Sequence, residues 1–229
     1  MIIKGLQKTT LLDFPGKVAC TVFTAGCNFR CPFCHNASLV LSPDLSDQIS
    51  EDEFFAFLTK RKNILDGVCI TGGEPLLQKD IESFIEKIKD IGLAVKLDTN
   101  GAYPERLRSI IDKKLVDYVA MDIKNSKEKY ALTAGAHVDI DKITESVEIL
   151  KSSDVSYEFR TTVVRELHSP EDMKSIGEWI AGASKYFLQS FTDSGEIIDE
   201  GYSAHSSEDM KKLLDIVTQY VPTASLRGI

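Results

Sequence analysis

From about residue 18 onward, apolar residues in this chain switch repeatedly between strand-like and helix-like periodicity, and few architectures accept that pattern. Segments 18–24, 67–71, 93–99, 116–123, 157–164 and 185–191 read as short buried strands, and 223–227 as a last short one. Segments 50–63, 80–91, 104–113, 140–152, 170–181 and 207–220 read as helices between them. Several helices carry their own start signals: Ser50 with Glu53 is a capping-box pair, and Ser169 before Pro170 is an N-cap followed by a proline at the first helical position. About six strand–helix units in succession predict an α/β fold with a parallel sheet and right-handed crossovers. Six are too few for an eight-stranded barrel, so an open, partial (β/α)6 barrel is expected, with residues 1–229 as one domain.

The polar residues have a consistent place in that pattern. Gly72-Gly73-Glu74, Asp98 and Asn100, and Asp122 and Lys124 all sit where predicted strands end. In barrel-like α/β folds the C-terminal ends of the strands form the catalytic face.

The first strand runs directly into Cys27-Asn28-Phe29-Arg30-Cys31-Pro32-Phe33-Cys34, a C-x3-C-x2-C spacing. Three thiolates this close can wrap one metal centre, yet three sulfurs do not complete a four-ligand shell. An iron–sulfur cluster held by three cysteines leaves one iron open, which points to chemistry rather than to structure. The chain has five cysteines, an odd number, with three clustered, which favours metal ligation over a disulfide framework. Cys20 and Cys69 lie in apolar strand runs and read as small buried hydrophobes.

Net charge is −8, which argues against a duplex nucleic-acid binder. No segment approaches the length of a membrane span, and the opening residues 1–15 lack a sustained apolar run. The expectation is therefore a cytoplasmic protein with no membrane or nucleic-acid partner.

Two motifs in order carry a resemblance. Cys27-x3-Cys31-x2-Cys34, with aromatic Phe33 before the last cysteine, resembles the radical S-adenosylmethionine (radical SAM) signature. Thr71-Gly72-Gly73-Glu74-Pro75, after the second strand, resembles the second motif of that superfamily. Within it, the chain resembles activating enzymes of glycyl-radical enzymes, and more narrowly the activating proteins of anaerobic ribonucleoside-triphosphate reductase. Leu12-Asp13-Phe14-Pro15-Gly16-Lys17, Asp98-Thr99-Asn100-Gly101, Met121-Asp122-Ile123-Lys124, Arg160-Thr161-Thr162-Val163-Val164 and Leu226-Arg227-Gly228 extend the likeness along the chain. It lacks the inserted ferredoxin-like cysteine sets of some activases, so it resembles the short, single-cluster class. It also lacks a histidine in 187–192, where other activases place one.

The resemblance implies a partial barrel of radical SAM type, with Cys27, Cys31 and Cys34 holding a [4Fe–4S] cluster. It implies that S-adenosylmethionine binds the fourth iron, with Gly72 and Gly73 allowing close backbone approach and Glu74 accepting from the methionyl ammonium. Phe33 would pack on the adenine. Asp98 and Asp122 would help fix the methionyl and ribose groups, and Lys124 and Arg160 would meet the ligand carboxylate. A flavodoxin or ferredoxin would supply an electron, and the adenosyl radical formed would take a Cα hydrogen from a glycine of the partner.

Other readings compete. A structural zinc site with His35 as fourth ligand is sterically awkward beside Cys34. A ferredoxin-like electron carrier would want a fourth cysteine. A radical SAM enzyme acting on a small molecule, such as a queuosine-pathway synthase, shares both motifs. His137, His168 and His205 read as solvated loop residues, the run 124–129 as a solvated face, and Trp179 as core.

Overall fold

The computed structural model describes residues 1–41, 45–193, 195 and 197–228. Its strands are β1 (Ile3–Thr10), β2 (Ala19–Thr24), β3 (Gly67–Gly72), β4 (Ala94–Thr99), β5 (Tyr118–Asp122), β6 (Ser156–Val163), β7 (Tyr186–Ser190) and β8 (Ser225–Arg227). Its helices are α1 (Ala37–Val40), α2 (Glu51–Arg61), α3 (Ile81–Asp90), α4 (Pro104–Asp112), α5 (Tyr130–Ala134), α6 (Ile140–Ser152), α7 (Pro170–Trp179) and α8 (Ser207–Val217). The described residues form one eight-stranded sheet in simple sequence order, β1 to β8. From β2 to β8 every neighbour is parallel, and β1 and β8 stay unjoined, so the sheet is an open, partial barrel.

Local chemistry accounts for the helix starts. Ser50 Oγ accepts from Glu53 N at 3.2 Å while Glu53 Oε2 accepts from Ser50 N at 2.9 Å, so the capping box opens α2. Ser169 and Asp172 repeat that arrangement at α7, with Pro170 at the first turn. Helix α3 buries Ile81, Phe84, Ile85 and Ile88, the stripe its sequence shows.

Strand alternation separates two environments. Val95, Leu97, Val119, Met121, Phe159 and Leu188 are fully buried in the apolar core shared with the helices. The intervening residues put polar groups on the opposite face: Lys96 and Asp98 on β4, Asp122 on β5, Glu158, Arg160 and Thr162 on β6, and Gln189 on β7. At its far end Arg227 makes a two-pronged pair with Glu158 (Nη1–Oε1 2.7 Å, Nη2–Oε2 2.9 Å), and its guanidinium lies 3.4 Å from the Phe187 ring centroid. This anchors the three-residue β8 and gives a structural use to the Leu226-Arg227-Gly228 segment.

Three elements escape a reading by periodicity. β1 is antiparallel to β2 with two register irregularities, and its polar sequence forms a strand by covering the free edge of β2. α1 and α5 are single turns, too short to show a period. Among the described residues no helix is long and apolar enough to cross a membrane.

Candidate functional site

A cavity of about 270 Å³ opens at the C-terminal ends of the strands. Its wall includes Cys27, Cys31 and Cys34, Phe33, Gly72 and Gly73, and Asp98, Asp122, Lys124 and Arg160. Ten of the eleven site residues expected from sequence therefore meet in one place; Glu74 is the exception.

The cysteine loop is held by backbone contacts that need glycine. Gly26 N donates to Leu39 O at 2.9 Å, Gly73 N to Thr24 O at 2.9 Å and Glu74 N to Gly26 O at 2.8 Å. A Cβ on Gly73 would lie 2.0 Å from Gly26 O, and Gly72 adopts φ +114° against Thr24. Asn36 Nδ2 adds a bond to Gly72 O at 2.9 Å. From the other side α5 grips the loop: Arg30 N donates to Ala134 O at 2.8 Å, and the Tyr130 ring meets Phe29 edge-on.

All three thiols are free. Cys31 is buried, while Cys27 and Cys34 are half-buried. Burial pushes the Cys31 thiol up to about 11, with the nearby Lys124 ammonium pulling the other way. Among the described residues no three His, Cys, Asp or Glu side chains converge as a ready-made single-ion site. A four-iron cluster, which meets its three sulfurs at separate corners, suits three soft thiols spread along one cavity wall.

Behind the cysteines runs a chain of alternating charges. Lys96 pairs with Asp98. Arg160 Nη1 reaches Asp98 Oδ2 at 3.1 Å, and its Nε reaches Asp122 Oδ1 at 2.9 Å. Lys124 Nζ meets Asp122 Oδ2 at 3.0 Å. Of this network Asp98, Asp122, Lys124 and Arg160 line the cavity, two carboxylates against two cations, with Lys96 behind them. Burial opposes ionisation of Asp122, but Arg160 and Lys124 overcome it and hold the carboxyl down to about 2. Asp98 is held low by the same balance, with Arg160 and Lys96 as its cations.

Glu74 alone of the expected site residues does not line the cavity. It is fully buried behind the cavity wall and accepts from Thr99 Oγ1 at 2.8 Å, Asn100 N at 2.7 Å and Leu76 N at 3.0 Å. The carboxylate thus ties the ends of β3 and β4 together. Asp98 likewise spends its oxygens on Lys96 and Arg160. Sequence periodicity places both residues at strand ends but carries no sign of these partners.

His168 is buried, not solvated. Its Nδ1 accepts from Val164 N at 3.0 Å and its Nε2 donates to Lys124 O at 2.8 Å, which fixes the segment after β5. In the run 124–129, Asn125 and Ser126 are also buried, with Asn125 Nδ2 bonded to Thr133 Oγ1 and Leu167 O, while 127–129 are exposed. His137 is exposed and His205 half-buried. His35 stacks on Phe191 and bonds Thr192 O at 2.7 Å through Nε2. Phe33 meets Phe191 and Tyr202 edge-on. Sequence reasoning missed Lys96, Thr162 and Gln189; an inward position on the strand alternation was their one available signal.

The sequence profile of the family described as "Radical SAM superfamily" matches residues 21–180. A Methanocaldococcus jannaschii protein, provisionally named a glycyl-radical enzyme activating enzyme, is 30% identical over 100% of this chain and 96% of its own length. The pyruvate formate-lyase-activating enzyme of Listeria monocytogenes is 28% identical over 78% of this chain and 75% of its own. Among solved structures, Streptococcus suis SuiB bound to S-adenosylmethionine superposes with a TM-score of 0.71 at 14% identity, over 91% of this chain and 52% of SuiB. That likeness concerns the fold.

Proposed function

Because this chain belongs to the radical SAM superfamily, we propose that it activates a glycyl-radical enzyme by removing a Cα hydrogen from one glycine of that partner. It is an enzyme of the radical SAM type, and its cofactors are a [4Fe–4S] cluster and S-adenosylmethionine. When bound, these two supply the 5′-deoxyadenosyl radical by one-electron cleavage of the sulfonium.

The chain's own residues have distinct tasks. Cys27, Cys31 and Cys34 hold the cluster, and the Lys124 ammonium beside them works against the burial that keeps Cys27 and Cys31 protonated. Lys124 and Arg160 meet the ligand carboxylate while Asp122 and Asp98 orient them. The tight backbone at Gly72 and Gly73 leaves the strand end bare for a ligand. Phe33 offers the adenine an apolar surface. Glu74 supports this wall from behind.

Relationship to an activating enzyme along the whole chain carries the reading. The finer assignment of the partner, anaerobic ribonucleoside-triphosphate reductase, is supported by the segments Leu12 to Lys17, Asp98 to Gly101 and Leu226 to Gly228. A flavodoxin or ferredoxin is the proposed reductant.

The test is anaerobic reconstitution with iron and sulfide, reduction, and addition of S-adenosylmethionine with and without that reductase. 5′-Deoxyadenosine together with a reductase-dependent glycyl-radical doublet in electron paramagnetic resonance is expected. Cleavage without a radical on any glycyl-radical enzyme overturns the activase reading. Cys31→Ala abolishes cluster and cleavage, whereas Cys20→Ala retains both.

A further inference from the structure

The backbone N–H and both side-chain polar atoms of Asn100 are engaged. Its backbone N donates to Glu74 Oε2 at 2.7 Å, and its Oδ1 accepts from Ala102 N at 3.0 Å. Its Nδ2 donates to Asn28 Oδ1 at 2.9 Å and also reaches Cys27 Sγ at 3.8 Å, within range of an N–H···S bond. The residue is 6% exposed and lines the cavity. Cys27 Sγ accepts a second N–H, from Phe29 N at 3.3 Å. Among the described residues, the sulfurs of Cys31 and Cys34 accept none, so the three thiols are electronically unequal.

The donor is held rigidly. Glu74, itself fixed by Thr99 and Leu76, locks the backbone of Asn100. Ser146 Oγ on α6 bonds Gly101 O at 2.7 Å and braces the same turn from outside. The position of Nδ2 over the sulfur is thus referenced to the sheet and needs no bound ligand to establish it.

We propose that Asn100 is a positioning residue for the cluster, which orients Cys27 and raises the reduction potential by donating an N–H to its sulfur. Hydrogen bonds to cluster sulfurs withdraw charge from the iron–sulfur unit and favour its reduced form. The inference rests on the reading that Cys27 is a cluster ligand.

The test compares Asn100→Asp and Asn100→Ala in the full, reconstituted chain. Asn100→Asp keeps the acceptor for Ala102 N and the residue's size but loses the donor. Asn100→Ala removes the donor without adding charge. Midpoint potentials are read by redox titration followed by electron paramagnetic resonance. Both are expected to retain iron and to shift negative, the aspartate variant further. Ser146→Ala, which loosens the turn without touching sulfur, is expected to lower the melting temperature and leave the potential unmoved. With ¹⁵N-asparagine incorporated, the reduced cluster of the unaltered protein shows a ¹⁵N hyperfine coupling that Asn100→Asp lacks. Should Asn100→Ala not fold, Asn100→Asp and the coupling decide. Unchanged potentials, no asparagine coupling, or an equal shift in Ser146→Ala overturns the proposal. Full iron content and unaltered potential in Cys27→Ala would instead overturn the ligand reading beneath it.

Discussion

Arg160 Nε donates to Asp122 Oδ1 at 2.9 Å, and these two residues face each other in register on β6 and β5. Through Nη1 the same guanidinium reaches Asp98 on β4, so one planar fork spans three strand ends beneath the cavity. Removing one member of a buried network leaves its partners as uncompensated charges.

Arg160→Ala is therefore expected to destabilise the apo-protein by about 3–5 kcal/mol. Arg160→Lys recovers only part of this, because an ammonium cannot bridge two carboxylates as the fork does. Urea unfolding of both variants checks it. A loss below about 1 kcal/mol in Arg160→Ala would mean the network is only a surface-like pairing.

Glu74 predicts a pH dependence. Burial pushes its carboxyl up to about 7 from an ordinary 4.5, although three donors pull it down. Between those values the native state keeps a proton that the unfolded chain has released, so the contribution of Glu74 is fully present below about 4.5 and is lost as pH rises through 7. The stability advantage of the unaltered protein over Glu74→Gln should fall across that window by up to about 1.4 kcal/mol per pH unit. Parallel stability curves for the two proteins would refute it.

Gly73 tests the close approach of backbones. A methyl there would stand 2.0 Å from Gly26 O, an immobile main-chain atom. Gly73→Ala is expected to cost on the order of 4 kcal/mol and to reduce cluster uptake. Gly92→Ala, at φ +92° but with nothing within 4 Å, is expected to cost only the left-handed penalty of about 1–2 kcal/mol. Melting temperatures and iron content of the pair check the contrast.

His168 gives a slope of opposite sign. Burial lowers its pKa below the ordinary 6.5, and its neutral ring serves both Val164 N and Lys124 O. Asp172 and His205 are the titratable groups nearby, acting in opposite directions. The unfolded chain takes up a proton first as pH falls below 6.5, so this contribution is full above 6.5 and is lost as pH drops through the lower native value. His168→Gln should flatten that acid-side loss. Retention of the same slope in the variant would assign it elsewhere.

Much of this protein was legible in short windows of sequence. Ser50 with Glu53 and Ser169 with Pro170 start their helices because capping bonds close within three residues. The parallel order of β2 to β8 followed from alternation, and the cysteine spacing with Gly72-Gly73-Glu74 located the cavity. By contrast, β1 is a strand only because β2 has an edge to cover, and His168 is buried only because the segment after β5 folds over it.

The roles of the charged residues belong to the second kind. Sequence alone determined which residues stand at the strand ends, since residue type and period are local properties. Tertiary structure alone decided that Glu74 turns inward to Thr99, Asn100 and Leu76, and that Arg160 pairs with Asp98 and Asp122, 62 and 38 residues away. Strand register brings those groups within hydrogen-bonding distance, and a buried charge takes whichever partner that register supplies.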